Sequence, residues 1–203
     1  MTIGIDSGKT LQEQVLGVRK KWSWFGVKKK LRKEESAAIA DLLDAKEERL
    51  SHSQKIINTR NPFYSVLTKL KSQFESYYHE STFPWVEDGV RLLRKDKIAE
   101  FNEEVEKVQS KIKKGVQTLG ENWDDIKKES KHDLGTAYNE KHFDVQLAEE
   151  FDLELSWVNL TPPDHLKTID PKLYEQEKAR IAAAFDKAVT LTMRRTVADG
   201  VST

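Results

Sequence analysis

The sequence contains no cysteine, and its 34 basic and 34 acidic residues leave no formal net charge. The absence of cysteine excludes disulfides, thiol catalysis and cysteine-ligated zinc or iron–sulfur sites. The charge balance is unlike that of a dedicated nucleic-acid-binding protein, which usually carries a basic excess. No stretch approaches the roughly 18 apolar residues of a transmembrane helix, and residues 1–17 contain no apolar run of signal-peptide length. We therefore expect a cytoplasmic protein without a membrane partner.

The composition favours an elongated, mostly helical chain. Of the 203 residues, 37% are hydrophobic and 33% are charged. This apolar share lies below the usual globular average, and long helices with much exposed surface have such a composition. We expect one elongated domain over residues 1–203, with a frayed terminus at residues 1–10, where two glycines and a serine occur.

A seven-residue repeat of apolar side chains is the strongest pattern, and it predicts one long amphipathic helix from Asp96 to Ser130. Gly115 and Asn122 interrupt the repeat. A heptad repeat predicts left-handed, coiled-coil-like packing against another helix. The helix must therefore pair with another helix of this chain or of a second copy, and we expect an antiparallel coiled coil or helical hairpin. We expect the heptad residues to form the interface with a second copy or with another protein. The predicted interface residues are Ile98, Phe101, Val105, Val108, Ile112, Leu119 and Ile126.

Alternating apolar and polar residues predict about three strands, and the helical patterns surround them. The predicted strands are Val18–Val27, Gly89–Leu93 and Phe151–Asn159. Helices are predicted over Glu34–Gln54, over Phe63–Tyr78 and from Asp170 to Ala198, the last with Asp170 as N-cap and Pro171 at its first position. The predicted fold class is α+β, mostly α, with a small antiparallel sheet.

Charge is segregated along the chain. Eight basic residues and no acidic ones lie between Arg19 and Lys33, whereas six acidic residues and neither lysine nor arginine lie between His142 and Asp164. Opposite charges that face each other on neighbouring strands are stabilising. We therefore predict that the strands Val18–Val27 and Phe151–Asn159 lie in one sheet.

The basic segment is also the best candidate for a nucleic-acid site. Basic side chains interleaved with aromatic ones suit single-stranded nucleic acid, through phosphate contacts and base stacking. A competing interpretation places the aromatic side chains in the core and pairs the basic ones with the acidic segment, because Val18, Trp22 and Trp24 share one face of a strand. The candidate residues are Arg19, Lys20, Lys21, Trp22, Trp24, Lys28, Lys29, Lys30, Arg32 and Lys33.

Signals for catalysis or metal binding are weak. The segment Gly4–Thr10 echoes a phosphate-binding loop, but Ile3 occupies the position of the required first glycine. None of the five histidines has the spacing of a zinc-binding helix, and the loop from His132 to His142 is better explained as surface. No Ser/His/Asp signature occurs. We therefore expect a protein that is not an enzyme and that binds no metal or cofactor.

Three segments together resemble a family of uncharacterised phage- and plasmid-encoded proteins. They are Trp22–Lys29 leading to Leu31, Gly89–Leu93 opening the helix with Ile98 and Phe101, and Phe151–Trp157 before the proline break. The family is a domain of unknown function that is often encoded near MoxR-type AAA+ ATPases and von Willebrand factor A-domain proteins. The resemblance covers about residues 16–191. It implies a mobile-element origin, a host-cell cytoplasmic location and a place in a larger assembly, with an AAA+ ATPase as one possible partner. It carries over no catalytic residues.

Overall fold

The computed structural model describes residues 7–50 and 52–200, and the fold is α+β and mostly helical. The α-helices are α1 (Ser7–Gln14), α2 (Lys33–Leu42), α3 (Pro62–Ser81), α4 (Ile98–Glu121), α5 (Trp123–Leu134), α6 (Leu147–Glu150), α7 (Asp164–Ile169) and α8 (Pro171–Gly200). Short 3-10 turns cover Glu47–Arg49, Lys95–Lys97, Gly135–Ala137 and Glu140–His142. Within the described ranges, no helix is both long enough and apolar enough to cross a membrane.

Two sheets accompany the helices. The strands are β1 (Val15–Ser23), β2 (Lys28–Lys30), β3 (Ser53–Lys55), β4 (Phe83–Pro84), β5 (Val90–Arg94) and β6 (Asp152–Val158). One sheet has the order β4-β5-β1-β6, and the other pairs β2 with β3. The two strands that were predicted to share a sheet correspond to β1 and β6. They are neighbours in the four-stranded sheet, so this prediction is confirmed. The strands β2, β3 and β4 were not predicted, because three residues or fewer of alternation cannot signal a strand.

The chain divides into two compact units. The first comprises the described residues of Met1–Lys21, Phe74–Lys107 and Leu153–Thr203. The second comprises Trp22–Gln73 and Val108–Asp152, of which all but residue 51 are described. The prediction of a single elongated domain stays a prediction.

The first unit is built on the four-stranded sheet. Val18 of β1 and Leu93 of β5 have no exposed surface. The hydroxyl group of Tyr78 donates a hydrogen bond of 3.0 Å to the carbonyl oxygen of Val18, so a polar group of α3 is satisfied by the central strand. Phe185 of α8 packs on Trp85, with ring centroids 4.7 Å apart. The helix α8 begins as predicted, because the Asp170 carboxylate accepts a 3.0 Å hydrogen bond from the Leu173 amide.

The second unit has an aromatic core. Phe25 contacts the rings of Trp123 and Phe151 in edge-on or tilted geometry, with centroids 5.6 and 6.3 Å apart. The Trp123 indole donates a hydrogen bond of 3.3 Å to the Phe143 carbonyl. Such pairs add to the free energy of burial, about 0.5–1.5 kcal/mol each.

Two predicted helix boundaries are wrong. The long helix predicted from Asp96 to Ser130 is broken at Asn122, where α4 has ended and α5 begins. The helix predicted over Glu34–Gln54 ends at Leu42, because Asp44 adopts a φ of 48° that a helix does not continue through. In the predicted frayed terminus, residues 1–6 lie outside the described residues, and α1 already begins at Ser7.

Candidate interaction surfaces

The heptad residues are buried within a single chain. Phe101, Val105, Val108, Ile112, Leu119 and Ile126 are each 5% exposed or less, and Ile98 is half-buried. In the first unit, Tyr77 of α3 stacks on Phe101 of α4 with ring centroids 5.8 Å apart. Apolar area that is already removed from water gains nothing further from a partner. The assignment of these six side chains to a partner or oligomer interface is therefore corrected: they are core residues.

Next to this buried stripe, the second unit has an apolar groove between α3 and α4. We call it the Val66 groove; its volume is about 450 Å³, and it is lined by Phe63, Val66, Leu70, Lys111, Lys114, Gly115 and Thr118. Val66 is 49% exposed, which is high for a branched apolar side chain. The lining residues of α3 are three, four or seven positions apart, and so are those of α4 except for the adjacent Lys114 and Gly115. On each helix they therefore form a second face beside the buried one.

Gly115 shapes the bottom of the Val66 groove. A β-carbon at this position would lie 2.7 Å from Leu67 Cδ2 and 3.4 Å from Leu67 Cγ. The absence of a side chain therefore lets α3 and α4 approach closely here and leaves the groove open above the glycine. The residue that interrupts the heptad repeat is thus a packing feature.

The rim of the Val66 groove is basic. Lys111 and Lys114 are exposed, and within the described chain neither forms an ion pair. Along α4, acidic residues cluster before Lys107, which pairs with Glu104 at 3.9 Å. The second unit's part of the helix, by contrast, carries Lys111, Lys113 and Lys114 close together. The groove therefore combines an apolar floor with uncompensated positive charge.

The basic segment predicted to bind nucleic acid is divided by the fold. In the first unit, Arg19 pairs with Glu87 at 2.5 Å, Lys20 pairs with Glu75, and Lys21 pairs with Glu154 at 3.2 Å. The pair between Lys21 and Glu154 joins β1 to the acidic strand β6. All three cations are paired within the chain. The alternative in which basic residues pair with the acidic segment is correct for Lys21, whereas Arg19 and Lys20 pair with carboxylates outside that segment.

Trp22 and Trp24 both contact Lys71 in the second unit. The Lys71 ammonium lies 5.2 Å from the Trp22 ring and 4.5 Å from the Trp24 ring. Trp24 also packs edge-on against Phe151, with centroids 4.9 Å apart. Both side chains are half-buried in the second unit. The assignment of these two tryptophans to a nucleic-acid surface stays a prediction.

The remaining basic residues of the segment have different surroundings. The Lys29 ammonium lies 6.0 Å from the Phe25 ring centroid, on the half-buried face of β2. Arg32 binds Glu35 at 2.5 Å and donates to the Thr136 carbonyl at 2.6 Å, and this arrangement lowers the pKa of Glu35 through the hydrogen bond to the guanidinium. Lys28, Lys30 and Lys33 are exposed and form no ion pair among the described residues.

The candidate metal and catalytic residues do not converge. In the part of the chain that the structure describes, no three histidine, aspartate or glutamate side chains are grouped as metal ligands. His132 is exposed beside Asp133 at 3.1 Å. His142 is half-buried, and burial together with the positive charge of Lys29 lowers its pKa. The segment Gly4–Thr10 lies partly outside the described residues, and its described part belongs to α1.

The Val66 groove was missed at the level of sequence, although its signal is there. The α3 stripe contains Phe63, Val66, Leu67, Leu70, Phe74 and Tyr77. This stripe is wider than one neighbouring helix covers, since Leu67 and Phe74 are buried whereas Val66 is exposed. An over-wide apolar stripe thus marks a second contact face.

Comparison with protein-family models, curated proteins and solved structures finds no match to this chain.

Proposed function

We propose that this chain is a non-enzymatic interaction protein that binds an acidic amphipathic helix of a partner in the Val66 groove. One observation carries the proposal: an exposed apolar groove on α3 and α4 is rimmed by two lysines without ion-pair partners. The association still involves the long amphipathic helices, but through a different face from the heptad stripe. The AAA+ ATPase suggested by the family resemblance is one candidate for the larger assembly.

The shape of the groove suits a helix. From Phe63 to Leu70 is seven residues, or roughly 10 Å along the α3 axis. That length accommodates about two turns of a partner helix, whose apolar side chains at i, i+3 or i+4, and i+7 enter such grooves. Covering Val66 and its neighbours removes apolar surface from water, which stabilises the complex by about 25 cal/mol per Å².

The charges at the rim select the partner. Lys111 and Lys114 leave positive charge at one side of the apolar floor. Glutamate or aspartate residues beside the apolar stripe of a partner helix complement these lysines, and lysine residues there repel them. The attraction involves exposed groups, so it weakens as salt rises.

The proposal is tested with two helical peptides of about four turns that share leucines at i, i+4 and i+7. One carries glutamates beside the leucines, and the other carries lysines. Calorimetric titration should show binding of the glutamate peptide with a Kd of order 10–100 μM, and at least about tenfold weaker binding of the lysine peptide. Absence of binding by the glutamate peptide, or equal binding of both peptides, contradicts the proposal.

A matched pair of variants locates the site. Val66→Asp places a carboxylate in the apolar floor and should weaken binding of the glutamate peptide at least about tenfold. Leu42→Asp changes an 84% exposed leucine of α2 in the same unit and should leave the affinity unchanged. Both positions are exposed, so both variants should keep the wild-type circular dichroism spectrum. Equal losses in the two variants would show that the peptide binds elsewhere.

A further inference from the structure

The ladder of β2 and β3 carries a concentration of positive charge on one face. Lys28 lies opposite Lys55, and Lys30 lies opposite Ser53. All four residues are exposed, whereas Lys29 and Gln54, which lie opposite each other on the other face, are half-buried. We call the exposed side, defined by Lys28, Lys30 and Lys55, the lysine face.

The lysine face is not compensated by the chain. Across the described residues, none of its three lysines forms an ion pair. Like charges directly opposite each other in an antiparallel pair are destabilising. The arrangement therefore leaves repulsion in a sheet of only two strands, and a bound anion would relieve it.

The chemistry of the lysine face favours phosphate over a protein partner. Its exposed residues are three lysines and a serine, with no apolar or aromatic side chain among them. Protein interfaces are depleted of lysine and serine and depend on buried aromatic or apolar anchors. Contacts between lysine and backbone phosphates need no such anchor.

We propose that the lysine face binds the phosphate backbone of nucleic acid without reading bases. Along β2, Lys28 and Lys30 are about 7 Å apart, so they reach separate phosphates on one side of a strand. Trp22 and Trp24 are not part of the lysine face, so the proposed contact does not use base stacking. Binding is therefore electrostatic, weak and independent of sequence, and it uses only part of the predicted basic segment.

Phosphate binding and base stacking predict different relative affinities for a duplex and a single strand. A duplex has a higher charge density than a single strand, so a purely electrostatic site binds the duplex more tightly. With three lysine–phosphate contacts, the logarithm of the association constant should fall with the logarithm of salt with a slope of about −2.7 for a duplex and about −2 for a single strand.

The experiment measures fluorescence anisotropy of a labelled duplex and a labelled single strand of equal length, over a salt series starting at low ionic strength. Lys28→Gln/Lys55→Gln should reduce the duplex slope by about 1.8, because two phosphate contacts are lost. Arg19→Gln/Lys21→Gln removes the same net charge from cations that pair with Glu87 and Glu154, and should leave the slope unchanged. All four side chains are exposed, so the variants should fold as the wild type does.

Five results overturn the proposal, four from the anisotropy titrations and one from a competition with poly-glutamate. The first four are absence of duplex binding at low salt, tighter binding of the single strand, an equal slope change in both double variants, and a loss confined to Lys111→Gln/Lys114→Gln at the Val66 groove. Poly-glutamate that competes as strongly as unlabelled duplex, at equal charge, would indicate an acidic protein partner and likewise overturn it. The peptide titrations at the Val66 groove contain no nucleic acid, so they test the proposed function in a separate experiment.

Discussion

Gly115 of α4 lies so close to Leu67 of α3 that a β-carbon on the glycine would come within 2.7 Å of Leu67 Cδ2. Leu67 is fully buried, so it has little room to move away. The same glycine lines the Val66 groove. One residue thus sets both the close packing of two helices and the opening of the candidate binding surface.

Gly115→Ala should therefore destabilise the protein. Overpacking at a buried leucine costs about 1–3 kcal/mol, and the better helix propensity of alanine offsets at most about 1 kcal/mol. We expect a net loss of about 1–2 kcal/mol in the free energy of unfolding, measured by urea denaturation. Gly120→Ala is the matched control in the same helix, because its β-carbon would meet only Leu147 Cδ1, at 3.9 Å. It should stabilise by about 0.5 kcal/mol, and a gain at both positions would contradict the packing argument.

The ion pair between Lys20 and Glu75 should contribute more to stability than the pair between Lys21 and Glu154. The side chains of the first pair are 16% and 33% exposed, and those of the second are 70% and 55% exposed. The Lys20 ammonium also lies 4.4 Å from the Tyr78 ring. Glu75→Gln should cost about 1–2 kcal/mol in thermal or urea unfolding, and Glu154→Gln at most about 0.5 kcal/mol. The reverse order would show that burial does not determine these contributions.

Tyr78 should make the protein less stable at high pH. Burial raises the pKa of its phenol to about 12. The unfolded chain releases this proton first, near pH 10, so the free energy of unfolding falls between about pH 10 and pH 12, by at most about 3 kcal/mol. Tyr78→Phe removes the titrating group and leaves the Val18 carbonyl without its side-chain donor, at a pH-independent cost of about 1–2 kcal/mol. The difference between the two proteins should therefore shrink above pH 10, and a constant difference would contradict the prediction.

His142 should make the second unit sensitive to acid. Burial and the charge of Lys29 lower the pKa of its imidazole. The unfolded chain takes up the proton first, near pH 6.5, so stability is lost as the pH falls from there through the lower pKa of the folded state. His142→Gln should flatten the dependence of the unfolding free energy on pH in this range. An unchanged slope would assign the acid sensitivity to other groups.

Local patterns predicted the helices that carry strong signals. The Asp170-Pro171 start of α8 and the α3 stripe after Pro62 have the predicted boundaries within a few residues. The predicted strands at Gly89–Leu93 and Phe151–Asn159 match β5 and β6 equally well. The ends of these elements depend on capping residues and on apolar periodicity, and both are local features of the sequence.

The element that packs on an apolar stripe is determined by the whole fold, so the local sequence pattern does not identify it. The heptad repeat correctly predicted that Val105, Ile112 and Leu119 are shielded from water, but it left open whether this chain or a second copy shields them. Likewise, the basic segment is uniform in sequence, whereas its residues reach carboxylates as distant in sequence as Glu154. The candidate surfaces lie where these long-range contacts do not cover an apolar side chain or pair a charged one.

The most direct test of the proposed interaction function is a charge exchange at the rim of the Val66 groove. Calorimetric titrations compare the wild type with Lys111→Glu/Lys114→Glu, against the glutamate-flanked and the lysine-flanked helical peptides. We predict that the wild type prefers the glutamate peptide and that the double variant prefers the lysine peptide, with the apolar anchors unchanged. A double variant that still prefers the glutamate peptide, as the wild type does, would contradict the assignment of this groove as the binding surface.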